Sequence, residues 1–316
     1  MSSGPGATFW VLLASLLVFL SVATAVGMVL KHTVAKGRPH AFIDNLHQRN
    51  LAWWGMIAVC ATAFHFGLSG TVLLGLALSF LAIRELSGAL PLRDADHLPL
   101  VCVSFVMLPL QYLWVALGLE ACVMLFVPLA SMLVLPVLLL VQGGAHGALD
   151  GLTRVQWLAM TGVYAISHVP ALLNLRFADA NVQPIMLVIF FTLVVQLSDV
   201  FQFIWGKLLG RRRLAPRLSP SKTVEGLIGG FVSATCVGML LADITPFGRW
   251  QAGAMALLLC ITGLTGGLVA SAIKRDRGMK DWGASIGGHG GVMDRLDSVV
   301  LSAPVFFHVV RAIWAI

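Results

Sequence analysis

The chain has 316 residues, of which 58% are hydrophobic and only 11% are charged, whereas soluble globular domains carry roughly 25% charged residues. This composition excludes a compact soluble domain of this size and predicts a protein that lies within a lipid bilayer. The net charge of +7 agrees with basic residues that gather in the cytoplasmic loops of a membrane protein. We therefore expect no nucleic-acid partner.

Apolar runs recur along the chain, and each is about as long as a helix needs to cross the hydrocarbon core. Each run should be helical, because unpaired backbone amides are costly in lipid. We predict about ten spans, at residues 8–30, 51–67, 69–84, 99–117, 121–141, 155–173, 184–205, 226–242, 252–273 and 298–316. The predicted fold is an all-α polytopic integral membrane helical bundle, in which residues 1–316 form a single membrane domain.

Basic residues predict which ends of the spans face the cytoplasm. They are concentrated in residues 207–222 and 274–295, and an even number of predicted spans separates these two loops. The loops on the opposite side contain only Arg176 and Arg249. By the positive-inside rule both basic loops are cytoplasmic. We therefore expect an integral membrane protein whose two basic loops face the cytoplasm.

Residues 271–298, SAIKRDRGMKDWGASIGGHGGVMDRLDS, form what we call the charged segment. Glycines on both sides of His289 allow backbone N–H groups to approach a phosphate closely, and the basic side chains can donate to phosphate oxygens. Asp281, Asp294 and Asp297 are ligands of the type that Mg²⁺ prefers beside substrate phosphates. The alternative is a polar loop without a function. The interleaved acids and bases favour a phosphate and metal site.

A second polar patch is SPSKTVEG at residues 219–226. It places two serines, Lys222 and Thr223 just before a predicted helix, whose N-terminus attracts anions. Thr223 can equally be the N-cap of that helix, and the two interpretations are compatible.

Single ionisable residues also lie within apolar runs. Asp199 is a candidate functional residue, because a charge inside a span is costly; an interhelical hydrogen bond is the alternative. Glu85 next to Arg84 is compatible with a local ion pair and receives no assignment. We expect the single histidines of the spans to be packed rather than to bind a ligand; they are His65, His168 and His308.

The charged segment resembles the signature of the phosphatidate cytidylyltransferase (CDP-diacylglycerol synthase) family. The matching positions are Ser271, Lys274, Arg275, Lys280, Asp281, Gly283, Ile286, Gly287, His289, Gly290, Gly291, Asp294, Arg295 and Asp297. SPSKTVEG is similar to the family's Ser-Pro-x-Lys-Thr-x-Glu-Gly element, and the resemblance covers about residues 194–300. Where family members often have Asp-Thr-x-Ala-Tyr, this chain has Asp199-Val-Phe-Gln-Phe203, which indicates a divergent subgroup and leaves the acyl preference open.

The resemblance implies transfer of CMP from CTP to phosphatidic acid, which yields CDP-diacylglycerol and pyrophosphate in phospholipid biosynthesis. It implies Mg²⁺ as the cofactor, with Asp281 and Asp294 as the first ligands and Asp297 and Asp199 behind them. The implied catalytic residues are Asp281, Asp294, Lys280 and Arg295. The implied substrate-binding residues are Ser219, Ser221, Lys222, Thr223, Lys274, Arg275, His289, Gly290 and Gly291.

Other functions stay open on the sequence alone. A CTP-dependent lipid kinase, or a cytidylyltransferase for another lipid phosphate, would use related chemistry. A transporter would place broken helices near the bilayer midplane in both halves, whereas most of the charge here lies in two loops. An inactive scaffold is opposed by the complete set of acids. The oligomeric state is also open, with a homodimer among the candidates.

Overall fold

The computed structural model describes residues 6–33, 41–143, 147–179, 182–286 and 290–316. About 82% of the structure is helical. The helices are α1 (Ala7–Thr33), α2 (Ala41–His65), α3 (Gly67–Ala89), α4 (His97–Cys102), α5 (Leu108–Ala116), α6 (Glu120–Gly143), α7 (Ala148–Ala159), α8 (Ile166–Ala171), α9 (Pro184–Leu209), α10 (Val224–Leu240), α11 (Arg249–Asp276) and α12 (Met293–Ile313). Three 3-10 helices cover Asp94–Asp96, Leu172–Asn174 and Ala242–Ile244.

Two π-helical segments join neighbouring helices into longer rods. Val103–Met107 connects α4 to α5, and Met160–Ala165 connects α7 to α8. In the described ranges, seven helical rods are long and apolar enough to cross a membrane: α1, α3, the rod Asp94–Ala116, α6, α9, α11 and α12. The prediction of an all-α polytopic membrane bundle is confirmed. The other three predicted spans fall on α2, on the α7–α8 rod and on the shorter apolar helix α10.

The buried core extends across most of the bundle, and one part of it lies where α9 and α12 face each other. The rings of Phe190 and Phe191 in α9 lie 6.0 and 5.6 Å, centroid to centroid, from the ring of Phe306 in α12, and all three side chains are fully buried. Lipid is as apolar as these side chains, so the helices associate through close packing rather than through the hydrophobic effect. This packing sets the α9–α12 distance on which the site depends.

Helices α9 and α10 approach each other almost backbone to backbone. Gly226 and Gly230 stand four residues apart on α10, a spacing typical of closely packed membrane helices. A Cβ added to Gly226 would lie 2.7 Å from the carbonyl oxygen of Gln202, and one added to Gly230 would lie 2.8 Å from the backbone nitrogen of the same residue. The close approach places the segment before α10 beside the end of α9.

We expect Gly230→Leu to lower the thermal midpoint of the detergent-solubilised protein, because overpacking of this kind costs about 1–3 kcal/mol. Gly88→Leu in α3 is the matched control, since nothing lies within 4 Å of a Cβ at that position. Thermal unfolding followed by tryptophan fluorescence would measure both variants. Equal midpoints for the two variants would show that the α9–α10 contact is looser than described.

A short hairpin precedes α10. Strand β1 (Arg213–Ala215) pairs in antiparallel fashion with strand β2 (Ser219–Thr223). After β2, the Glu225 carboxylate in the first turn of α10 accepts the backbone N–H groups of Arg211 and Arg212, at 3.0 and 3.1 Å to Oε2. The hairpin was not predicted, because strands this short show no hydrophobic alternation in the sequence.

Candidate active site

The charged segment folds around the carboxylate of Asp294. Lys274 in the last turn of α11 donates to Asp294 Oδ1 at 2.7 Å, and the two side chains are only 10% and 5% exposed. Asp294 Oδ2 accepts the backbone N–H groups of Trp282, at 2.8 Å, and Gly291, at 2.9 Å. Both oxygens of Asp294 are therefore engaged in joining α11, the loop and α12.

The hydrogen bond between Ile286 and Gly290 closes a turn in the charged segment, which we call the glycine turn. This turn has strict steric requirements. Gly290 has a φ of 81°, a conformation that favours glycine, and its carbonyl accepts the N–H of Ile286 at 2.8 Å. A Cβ at Gly290 would lie 2.8 Å from Asp294 Oδ2 and 3.3 Å from the Cβ of Asp281. Asp281 thus lies next to this turn, with its side chain exposed. His289 lies outside the described residues.

A second acidic cluster forms where α9, α12 and β2 meet. The Ser298 hydroxyl donates to Asp199 Oδ2 at 2.9 Å and also lies 3.4 Å from Asp297 Oδ1. The backbone N–H of Ser298 donates to Asp297 Oδ1 at 2.7 Å. Lys222 Nζ lies 4.0 Å from Asp199 Oδ1. Two carboxylates and one ammonium group from separate elements therefore converge.

Helix α11 lies beside this acidic cluster and also carries Lys274, the partner of Asp294. A Cβ added to Gly267 would lie 3.8 Å from Lys222 Nζ and 4.0 Å from Asp297 Oδ2. The charged neighbours of Asp297 include Lys274 as well as Lys222 and Asp199. The Lys274–Asp294 pair and the Asp199–Asp297 pair therefore belong to one site.

The donor set at this site can be compared with the needs of a divalent cation. Among the described residues, no three acidic, histidine or cysteine side chains form a group that could hold a metal ion. Mg²⁺ is commonly held by one or two carboxylates together with substrate phosphates, and Asp199 and Asp297 supply such a pair. Asp199 is 41% exposed, so a ligand can reach it. Both oxygens of Asp294 already accept hydrogen bonds and its side chain is only 5% exposed, so the Asp199–Asp297 pair fits better.

The remaining predicted binding residues surround these two clusters. Thr223 Oγ1 accepts the N–H of Gly226 at 3.1 Å, which confirms that Thr223 caps α10. Arg275 donates to the carbonyl oxygens of Leu218, at 3.3 Å, and Met279, at 3.0 Å, and so connects the hairpin turn to the end of α11. Four more predicted residues have these positions: Ser219 half-buried and Ser221 exposed in β2, Lys280 exposed next to Asp281, and Arg295 half-buried in the first turn of α12.

Glu85, to which the sequence assigns no role, contacts the charged segment. Its carboxylate is 9% exposed and accepts hydrogen bonds from Ser285, Val292 and Met293 of the charged segment. These contacts, rather than an ion pair with Arg84, engage the Glu85 carboxylate. No sequence signal could have shown this, because the partners lie 200 or more residues further along the chain.

An integral membrane protein whose carboxylates, lysines and glycine turn converge in this way has the residue types of an enzyme that acts on phosphate groups. The chain belongs to the cytidylyltransferase family, whose model matches residues 47–313. It is therefore a nucleotidyltransferase with a nucleotide among its substrates. Membership also indicates a general requirement for a divalent metal ion.

Individual relatives show how far the similarity extends. The chain is 34% identical over 307 residues to the uncharacterized protein YnbB of Escherichia coli (strain K12), covering 95% of this chain and 97% of that protein. It is 40% identical over 121 residues to the phosphatidate cytidylyltransferase of Brucella abortus biovar 1 (strain 9-941), covering 38% of this chain and 45% of the relative. It is 38% identical over 120 residues to the phosphatidate cytidylyltransferase of Staphylococcus saprophyticus, covering 37% of this chain and 46% of that enzyme. The aligned part of the chain thus spans less than half the length of these two named enzymes.

Proposed function

We propose that this protein is a phosphatidate cytidylyltransferase, which transfers CMP from CTP to phosphatidic acid and releases pyrophosphate. The observation that carries the proposal is the convergence of Asp199, Lys222 and Asp297 beside the loop held by Lys274 and Asp294. Partial similarity to enzymes named phosphatidate cytidylyltransferase supports the same reaction.

In the proposed reaction, a phosphate oxygen of phosphatidic acid attacks the α-phosphorus of CTP. A new P–O bond forms to the lipid phosphate, and the bond between the α-phosphorus and the bridging oxygen breaks, so that pyrophosphate leaves with the bonding electrons. A phosphate monoester is already anionic near pH 7, so no general base is needed. Catalysis then depends on in-line positioning and on neutralisation of charge.

The chain's own residues divide these tasks. Lys222, whose side chain is 28% exposed, donates to a substrate phosphate at the mouth of the cluster. Lys274 and Asp294 hold the loop that shapes the nucleotide site. Asp199 and Asp297 would hold Mg²⁺, with Asp281 as a further candidate ligand. When bound, that ion supplies charge neutralisation at the phosphates.

We place the site on the cytoplasmic face of a bacterial inner membrane. The basic loops next to α9 and α11 are the ones that the positive-inside rule assigns to the cytoplasm, and CTP is a soluble cytoplasmic nucleotide. We also propose that the chain is a single membrane domain, because Glu85 of α3 bonds to the charged segment.

The test is turnover of radiolabelled CTP by the detergent-purified protein with phosphatidic acid, with and without Mg²⁺. We expect lipid-linked CMP and an equal amount of pyrophosphate, both dependent on Mg²⁺. Release of CDP together with a phosphorylated lipid would show a kinase and overturn the proposal. Absence of a lipid-linked product across several lipid phosphates, from folded protein, would also overturn it.

A further inference from the structure

We propose that Glu85 of α3 positions the nucleotide-binding loop of the charged segment. This inference rests on the proposed function, because it assigns the loop to the nucleotide. Glu85 acts through the loop and does not touch substrate, so it is a positioning residue. It lies in the part of the chain that precedes the resemblance at residues 194–300.

The contacts of Glu85 join the two ends of one loop. Oε1 accepts the Ser285 hydroxyl at 2.6 Å and the backbone N–H of Val292 at 2.9 Å. Oε2 accepts the backbone N–H of Met293 at 2.8 Å. Ser285 stands before the glycine turn, and Val292 and Met293 stand after it. One buried carboxylate therefore sets the distance between the two ends of the turn.

Glu85 also occupies a place where a phosphate could otherwise bind. Val292 is the N-cap of α12, and Met293 is its first residue. The first N–H groups of a helix have no partner within the helix, and a negative charge is favoured there. Glu85 satisfies two of these donors, and Asp294 accepts the N–H of Gly291 just before them. A substrate phosphate has to be bound by other donors, whose arrangement depends on the turn that Glu85 closes.

Two glycines of the charged segment are accounted for by the same carboxylate. A Cβ added to Gly283 would lie 3.0 Å from Glu85 Cδ, and a Cβ added to Gly291 would overlap Glu85 Oε2. These glycines therefore allow the side chain of α3 to reach the backbone of the loop. The loop therefore provides both the space that the Glu85 side chain occupies and the donors of the hydrogen bonds that it accepts.

Glu85→Gln keeps the shape of the side chain but replaces one acceptor oxygen by an NH₂ group that cannot accept the backbone N–H groups. We expect the KM for CTP to rise about 10–100-fold, the range known for removing a residue that orients the ligands of a metal site. The KM for phosphatidic acid should stay within about twofold, and Glu85→Asp, which keeps the charge, should recover part of the loss. A residue that only stabilises the fold would lower the active fraction and leave both KM values unchanged.

Glu120→Gln is the matched control, because Glu120 binds the other end of the same helix. Its carboxylate accepts from Arg311 of α12 at 2.7 Å. This variant makes the same chemical change and should leave both KM values as in the original protein. A rise in the KM for CTP in Glu120→Gln equal to that in Glu85→Gln would overturn the proposal.

Hydrogen–deuterium exchange of the full chain in detergent gives a readout that needs no substrate. We expect Glu85→Gln to speed exchange in peptides covering 283–293 and to leave peptides of α9 and α10 unchanged. Unaltered exchange in 283–293, or faster exchange throughout the bundle, would overturn the positioning role. Because this readout is independent of turnover, it tests Glu85 even if the original protein makes no CDP-diacylglycerol.

Discussion

Asp297→Asn should reduce turnover about 10³-fold and raise the Mg²⁺ concentration needed for half-maximal activity. The reason is that the carboxylates of Asp297 and Asp199 lie close together, since the Ser298 hydroxyl contacts both of them. Removing one of two carboxylates weakens cation binding and takes away one negative charge from the site. A thousandfold loss corresponds to about 4 kcal/mol of transition-state stabilisation, within the range expected of a bound metal ion. Steady-state rates over a series of Mg²⁺ concentrations measure both effects.

The control for this variant is Asp276→Asn. Asp276 lies at the end of α11 with its side chain 73% exposed, and its carboxylate lies 3.5 Å from its neighbour Arg277. The same change there should leave turnover and the Mg²⁺ dependence as they were. Turnover of Asp297→Asn within threefold of the original protein, at the same Mg²⁺ dependence, would rule out the proposed metal pair.

Asp294→Asn should also remove most of the turnover, by about 10²–10³-fold, but for a different reason. The amide no longer neutralises the buried Lys274, and it offers only one acceptor oxygen for the donors of Lys274, Trp282 and Gly291. The glycine turn then loses its position beside the site. Since Asp294 holds the loop, the Mg²⁺ concentration for half-maximal rate should not change.

Loss of a buried partner costs stability as well, about 3–5 kcal/mol, so the comparison needs an equally buried ion pair. Asp96 is fully buried and accepts from Arg154 at 2.9 Å. Asp96→Asn should lower the thermal midpoint as Asp294→Asn does, while turnover per folded molecule stays near normal. If Asp294→Asn instead raised the Mg²⁺ requirement as Asp297→Asn does, Asp294 would be a metal ligand.

Hydropathy predicted most of the bundle because lipid forces every apolar run to satisfy its own backbone hydrogen bonds. It did not predict the ends of the helices, since polar residues continue a helix beyond the apolar part. Helix α2 starts at Ala41, ahead of the predicted span at 51–67. The π-helical segments Val103–Met107 and Met160–Ala165 were also missed, because a π turn changes hydrogen bonding without changing composition.

Within the site, the sequence predicted the individual residues better than their arrangement. Asp199 and Lys222 were both singled out, yet their approach to Asp297 depends on the α9–α10 and α9–α12 contacts. The same limit applies to the histidines in the spans. His168 and His308 were expected to be packed rather than to bind a ligand, but their positions in the sequence do not show that their rings lie 5.3 Å apart or that Tyr164 hydrogen-bonds His308 at 3.0 Å. Such pairings arise from tertiary contacts.

The close contacts of Glu85 with Gly283 and Gly291 limit which substitutions these three positions can accept during evolution. A larger residue at either glycine meets the carboxylate, and loss of the carboxylate leaves two N–H groups of α12 without their acceptor. These three positions should therefore be inherited together or replaced together. A relative that retains the charged segment but has no acid at the position of Glu85 would need another anion at the start of α12, supplied by a different helix or by the nucleotide itself.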